Sequence, residues 1–156
     1  MDAYAVIQLV TSLVGALGFA LFFNVNPRYI PAASVGGLLT WAVYWLANQA
    51  MGQIFVPSII ASTFAAAYAE VAARICRVPT TVFFIIAVIP LVPGRGLFYT
   101  MSAVVNADWA SFATNGSATL QFAAAIGAGI CIITAIVQTW KYGRAKLRHL
   151  RRNRSS

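Results

Sequence analysis

The sequence predicts an all-α polytopic membrane protein with about five transmembrane helices, the fourth broken at a P-x-x-P-G motif. Three observations predict it. The chain of 156 residues is 60% hydrophobic and only 9% charged, against roughly a quarter charged in ordinary soluble domains. Its mean hydropathy is +0.77, and its apolar runs approach the roughly 20 residues that cross a hydrocarbon core of about 30 Å. The positive charges, finally, fall on alternate connections between those runs.

The first run, residues 4–23, ends in the turn NVNPR, where Pro27 and polar neighbours stop a helix. Gly15, Gly18, Ala16 and Ala20 offer it small surfaces for a close neighbour. The start MDAYAVIQ has no basic region, so this run reads as a retained helix rather than a signal peptide. The second run, residues 31–48, has Gly36 and Gly37 near its start. Trp41, Tyr44 and Trp45 follow, a pattern that suits an interfacial aromatic belt. A short uncharged turn, residues 49–53, leads to the third run, residues 54–73. There Ala61, Ala65, Ala69 and Ala73 recur every four residues as a seam for helix packing. Ser58, Ser62, Ala66 and Glu70 lie on the adjoining track. Arg74 and Arg77 close the run before Pro79.

The fourth run, roughly residues 80–105, is the broken one. Pro90 and Pro93 each remove a backbone donor and clash with the preceding turn. Lipid supplies no water to unpaired backbone groups, so such a break survives only inside protein or beside a polar cavity. A polar loop over residues 106–117 follows, with Asp108 as its only charge. The fifth run is 118–140, where Ala123 faces Gly127 and Ala125 faces Gly129 at close-packing spacing. The chain thus divides into a transmembrane domain, residues 1–140, and a basic tail, residues 141–156, helical at its start.

Charge placement orients the layout. Net charge is +8, and seven of the 11 Lys and Arg residues lie in the tail. With the tail cytoplasmic, Arg28, Arg74 and Arg77 also fall on the cytoplasmic side, and the opposite connections carry no positive charge. That supports five spans with the N-terminus outside; a four-span alternative makes the second or the broken run re-entrant. The tail reads as a cytoplasmic flank touching anionic lipid rather than nucleic acid, because no aromatic-interleaved basic fold accompanies it.

Several chemistries are excluded. His149 is the only histidine and lies in the tail, which leaves no basis for a histidine metal site or triad. No G-x-x-x-x-G-K-[ST] motif is present to bind ATP. The three acids are too few for a carboxylate cage. Cys76 and Cys131 lack CxxC spacing and read as apolar fillers. The sequence therefore implies no enzyme, no cofactor and no metal.

Three features remain as candidate site. The first is the break, Pro90 to Gly96, near or just beyond the midplane. The half-helix starting near Gly96 would present unpaired N–H groups and its positive dipole end to an anion. The bland reading is a kink that serves packing. The second is Arg95, costly at that depth unless it faces a cavity or partner, with a fork that suits a carboxylate. Its bland readings are snorkelling and lining a cavity without touching substrate. The third is Glu70, the only acid inside a span and a candidate proton carrier; against this, Arg74 stands at i+4 in the stabilising order. Tyr99, Thr100 and Asn106 are lesser candidates for polar lining.

The stretches FNVNPRYIPAA (residues 23–33) and AEVAARICRVPTTVFFIIAVIPLVPGRGLFYTM (residues 69–101) resemble the threonine/serine exporter family, most closely the short subunit of its split, two-protein form. The family's P-x-x-P-G core and following tyrosine map onto Pro90, Pro93, Gly94 and Tyr99. The resemblance implies a bacterial inner-membrane subunit of a secondary exporter for small carboxylate-bearing metabolites, threonine and serine or a dicarboxylate such as succinate. It also implies a larger membrane partner, while the chain itself allows a homo-oligomer. The rival readings are a non-transporting assembly subunit, a channel, and a membrane-embedded enzyme, the last lacking any nucleophile–base pair.

Overall fold

A computed structural model describes the backbone over residues 3–153 and side chains over residues 4–140. The described residues are helical apart from short connections. Helices α1 (Ala3–Phe22), α2 (Ile30–Met51) and α3 (Phe55–Cys76) follow one another through tight turns. The broken span is α4 (Thr80–Val88), a 3₁₀ turn (Ile89–Leu91) and α5 (Gly94–Val105). Helix α6 (Trp109–Asn153) completes the chain. Four of these helices are long and apolar enough to cross a membrane, and the two halves of the broken span, bent by 54°, make a fifth when taken as one.

Helix α3 is the spine, packed against α2, α4 and α6. The alanine seam accounts for this position. Ala61, Ala65, Ala69 and Ala73 are all buried, as are Ser58, Ser62 and Ala66 on the neighbouring track. Small side chains let backbones approach closely, which is where attraction between helices comes from once water is absent. Gly129 of α6 shows how close: a Cβ there would run into Ser62 Oγ and lie 2.7 Å from the Ile59 carbonyl. On the opposite side Gly36 of α2 accepts the ring of Tyr68, whose hydroxyl donates to the Ala32 carbonyl at 2.6 Å.

Of the small-residue pairs legible in the sequence, only some are used within the chain. Ala125 and Gly129 are buried against α3, while Ala123 and Gly127 are exposed. Ala16 and Ala20 are buried, whereas Gly15 and Gly18 have open space where a Cβ would be. Trp41 and Tyr44, which by sequence suit a belt, also pack within the chain. They are half-buried and stack on one another, and Tyr44 meets the ring of Phe122 edge-on at 5.7 Å.

The fifth span is longer than its hydropathy suggests. Residues expected to be a polar loop begin a helix at Trp109. Asp108 starts it: its carboxylate accepts the Ser111 N–H at 3.1 Å, and its carbonyl accepts that of Phe112. Hydrogen bonds from Ser111 hold the Asp108 carboxyl below its usual range. Thr114, Ser117 and Thr119 return their hydroxyl protons to carbonyls three or four residues back, so these polar side chains sit in a helix without leaving donors unmet. Helix α6 runs parallel to α3, with Gly129 at Ser62 and Trp140 beside Arg74. Ser62 lies two turns into α3 and Gly129 lies far into α6. At about 1.5 Å per residue, α6 therefore begins roughly 20 Å before α3 does. That extra length packs against α5, with Gly96 under Thr119 and Thr100 beside Gly116. The two form a hairpin that projects past the α2–α3 turn.

Two substitutions on α6 separate the used seam from the open one. Gly129→Ala should destabilise by about 1–3 kcal/mol through overpacking. Gly127→Ala meets nothing within 4 Å and should stabilise by about 0.5–1 kcal/mol through helix propensity. Thermal unfolding in detergent reads both. The Asp108 cap has a pH sign as well. Because the folded pKa is lowered, its contribution is complete above the unfolded carboxyl pKa and is lost as pH falls through the folded value. Asp108→Asn should therefore remove part of the acid sensitivity of the melting temperature.

Candidate functional site

The break begins with a missing donor. In an unbroken helix the Ile86 carbonyl would accept from residue 90, but Pro90 has no N–H to give. Pro93 likewise cannot serve the Ile89 carbonyl, which instead accepts the Val92 N–H at 3.0 Å. The chain then folds back on itself, Gly94 N–H to Val92 carbonyl at 2.7 Å, and α5 starts with Leu97 N–H on the Pro93 carbonyl at 2.9 Å. Arg95 and Gly96 occupy the second and third helical positions, whose N–H groups have no intrahelical acceptor. The sequence expectation that a half-helix N-terminus opens at the break therefore has its geometric counterpart at Gly94–Gly96.

The protein packs closely around this irregular backbone. Leu91 is fully buried in a cluster with Ala61 and Ile126, backed by Trp41, Tyr44 and Phe122. Gly37 of α2 presses on the break from the other side. A Cβ there would stand 3.3 Å from the Ile86 carbonyl and 3.4 Å from Pro90 Cγ, and would collide with Ala16. Three buried polar atoms of α2 near this contact, Ser34 Oγ, Thr40 Oγ1 and Trp41 Nε1, have no hydrogen-bond partner among the described residues. Sequence reasoning missed them, because Ser and Thr in an apolar helix usually return their protons to the backbone.

The candidate residues divide into an inner and an outer set. Pro90 is half-buried and Gly96 lies beneath Thr119, so Gly96 serves the α5–α6 contact. Gly94, Arg95 and Tyr99 face outward from that contact. The Arg95 guanidinium lies over the Tyr99 ring at 5.6 Å, one turn along the helix, a cation–π arrangement that holds it beside the helix start. Thr100 turns inward and donates to the Gly96 carbonyl, while the Asn106 amide donates to the Ser102 carbonyl.

Glu70 stands apart from the break, at the end of the bundle where the flanking arginines gather. Arg28 and Arg77 line one cavity there. The Glu70 carboxylate accepts Arg74 Nη2 at 2.8 Å and Nε at 3.2 Å through one oxygen, and the Thr80 hydroxyl at 3.0 Å through the other. The Arg74 pairing was legible from i+4 spacing. The Thr80 contact was not; it ties the spine to the first residue of the broken span. Among the described residues no cluster of histidine, cysteine or carboxylate side chains fits a metal. Cys76 and Cys131 are free thiols.

Neighbouring glycines make a test. Gly94→Ala has open space for its methyl and should leave the fold intact, whereas Gly96→Val drives into Thr119 and should separate α5 from α6. Melting temperature and retention on size exclusion distinguish them. Equal destabilisation by both would contradict this geometry.

Two comparisons return nothing: no curated protein and no solved structure matches the chain. A family described as Threonine/Serine exporter, ThrE, matches residues 8–136, which include every candidate site residue above. With the apolar helices and the bent span, this gives a multi-pass membrane protein of exporter type. The chain belongs to the threonine/serine exporter family.

Proposed function

We propose that this chain is one subunit of a secondary exporter of small carboxylate-bearing metabolites, threonine and serine or a dicarboxylate such as succinate, in the bacterial inner membrane. The observation that carries the reading is the break, filled on its inner side and exposed on its outer one. A membrane helix is interrupted by two prolines, bent by 54°, and restarted beside an arginine with N–H groups that have no intrahelical acceptor and no side-chain cap, in a chain of an exporter family. Half-helix N-termini of this kind favour anionic groups. In the proposed site the carboxylate lies on the N–H groups of Arg95 and Gly96, with the Arg95 guanidinium alongside. Pro90 and Pro93 keep the break open, Gly94 keeps it uncovered, and Tyr99 positions the guanidinium.

Arg95 and Tyr99 face away from the rest of the chain. The other wall of the pathway therefore comes from a larger membrane subunit of the same family, or from a second copy. In this reading the end of the bundle that carries Arg28, Arg74 and Arg77 faces the cytoplasm together with the C-terminus, in keeping with the preference of positive charge for that side. Glu70 at the same end is the candidate for coupling movement to protons, through its link to Thr80. The reading requires neither ATP nor a metal.

Counterflow in proteoliposomes tests it, with this chain alone and with its large partner, using labelled threonine, serine and succinate. Saturable exchange is expected only with both subunits present. Arg95→Ala should raise the KM about ten-fold or more, the loss of one charge-assisted hydrogen bond. Non-saturating flux would make the protein a channel. Verified complexes without exchange would make it an assembly subunit.

A further inference from the structure

Glu70 lies between two cavities, and neither belongs to the proline break. One, of about 240 Å³, opens between α3, α4 and α6 and is lined by Glu70, Thr80, Thr81, Thr134 and Gln138 among apolar neighbours. The other, of about 990 Å³, is a groove between α3 and α6 lined by Glu70, Arg74, Thr139 and Trp140. Their shared wall is the Glu70 carboxylate. Arg74 extends from it into the groove, its guanidinium 5.4 Å from the Trp140 ring.

Two threonines of α6 here have a common orientation. The Thr134 hydroxyl donates to the Ile130 carbonyl and that of Thr139 to the Ala135 carbonyl, both at 2.8 Å. Their protons are thus committed to the helix, and their oxygen lone pairs remain to accept from elsewhere. Beside Glu70, the oxygens of Thr134 and of Thr80, whose proton goes to the carboxylate, make the smaller cavity a receptor for a hydrogen-bond donor with positive charge, while Thr139 lines the groove. Arg74 is the opposite: five donors and a fixed charge, with its side chain 44% exposed, matched to a carboxylate. An acceptor-rich wall and a guanidinium therefore stand within one helical turn of each other. A ligand carrying both an ammonium and a carboxylate group engages both. A dicarboxylate satisfies only Arg74 and sets its second charge against Glu70, a like-charge contact that opposes binding.

We infer that the space around Glu70, between α3, α4 and α6, is a loading site for a small zwitterionic α-amino acid. In this site Glu70 and the threonine oxygens hold the ammonium group, and Arg74 holds the carboxylate. The inference rests on the exporter reading for its direction of travel: this end of the bundle is where cargo would enter. It narrows that reading to zwitterions and adds a site distinct from the break. It also gives the Thr80 contact a purpose. Thr80 opens α4, so a ligand ammonium that competes with Arg74 and Thr80 for the carboxylate acts directly on the first turn of the broken span.

Site-directed thiol protection tests this with the full chain in membranes. In a background of Cys76→Ala and Cys131→Ala, the variant Gln138→Cys places a thiol in the smaller cavity for labelling by a maleimide. L-threonine at millimolar concentration should slow labelling. Its deaminated analogue 3-hydroxybutyrate, its decarboxylated analogue 1-amino-2-propanol, and succinate should each be about ten-fold or more weaker, the loss of one charged contact. Glu70→Gln should abolish protection by threonine, while Arg28→Gln, which removes a nearby positive charge outside both cavities, should leave it unchanged. The analogue series needs no substitution at Glu70, so the proposal is decided even where Glu70→Gln prevents folding. No protection by threonine, equal protection by succinate, or protection that survives Glu70→Gln would overturn the loading site. The exporter reading is judged separately by counterflow: exchange of succinate alone would keep that reading and sink this one.

Discussion

Everything about this molecule follows from two backbone donors that do not exist. Pro90 and Pro93 have no N–H, so carbonyls in the fourth span lose their helical partners where lipid offers no replacement. A 3₁₀ turn recovers one of them, through the Val92 N–H on the Ile89 carbonyl. The other, that of Ile86, is managed by enclosure. Gly37 brings the α2 backbone against the Ile86 carbonyl, and Leu91 seals the break among Ala61, Ile126 and the aromatic cluster. The alanine seam of α3, the glycines of α2 and the aromatics around Tyr44 are all ways of keeping irregular backbone away from hydrocarbon.

That enclosure also arranges the chemistry. Because the inner side of the break is filled, the residues that can meet an anion are those on its outer side, Gly94, Arg95 and Tyr99. Because α3 is lined with alanine, α4 and α6 come close enough for Thr80 and Thr134 to share a cavity with Glu70. The two polar regions of the chain therefore sit at different depths, one at the arginine-rich end and one beyond the break, joined by α4.

Much of this was legible in the residues. Hydropathy marked the spans, four-residue spacing marked Ala61 to Ala73, i+4 spacing marked Glu70 with Arg74, and the prolines marked the break. The start of α6 was not legible, because WASFATNGSATLQ has the composition of a loop and its helicity depends on hydroxyls serving their own carbonyls and on the Asp108 cap. Nor was the difference between Gly96 and Gly94. Both stand in the same motif, and only the approach of Thr119 from a distant part of the chain separates them. The inward placement of Trp41 and Tyr44 was hidden for the same reason, since aromatics near a helix end suit either an interface or a core.

Helix α6 carries a mechanical consequence. It is a single element of 45 residues, about 67 Å at 1.5 Å per residue, and the sequence places no proline anywhere along it. Without a proline it keeps the continuous ladder of backbone hydrogen bonds that the broken span loses, and one helix links the tail end of the bundle to the projecting hairpin. The broken span beside it has its ladder interrupted at Pro90 and Pro93, so of the two members it is the one with fewer backbone hydrogen bonds to resist bending.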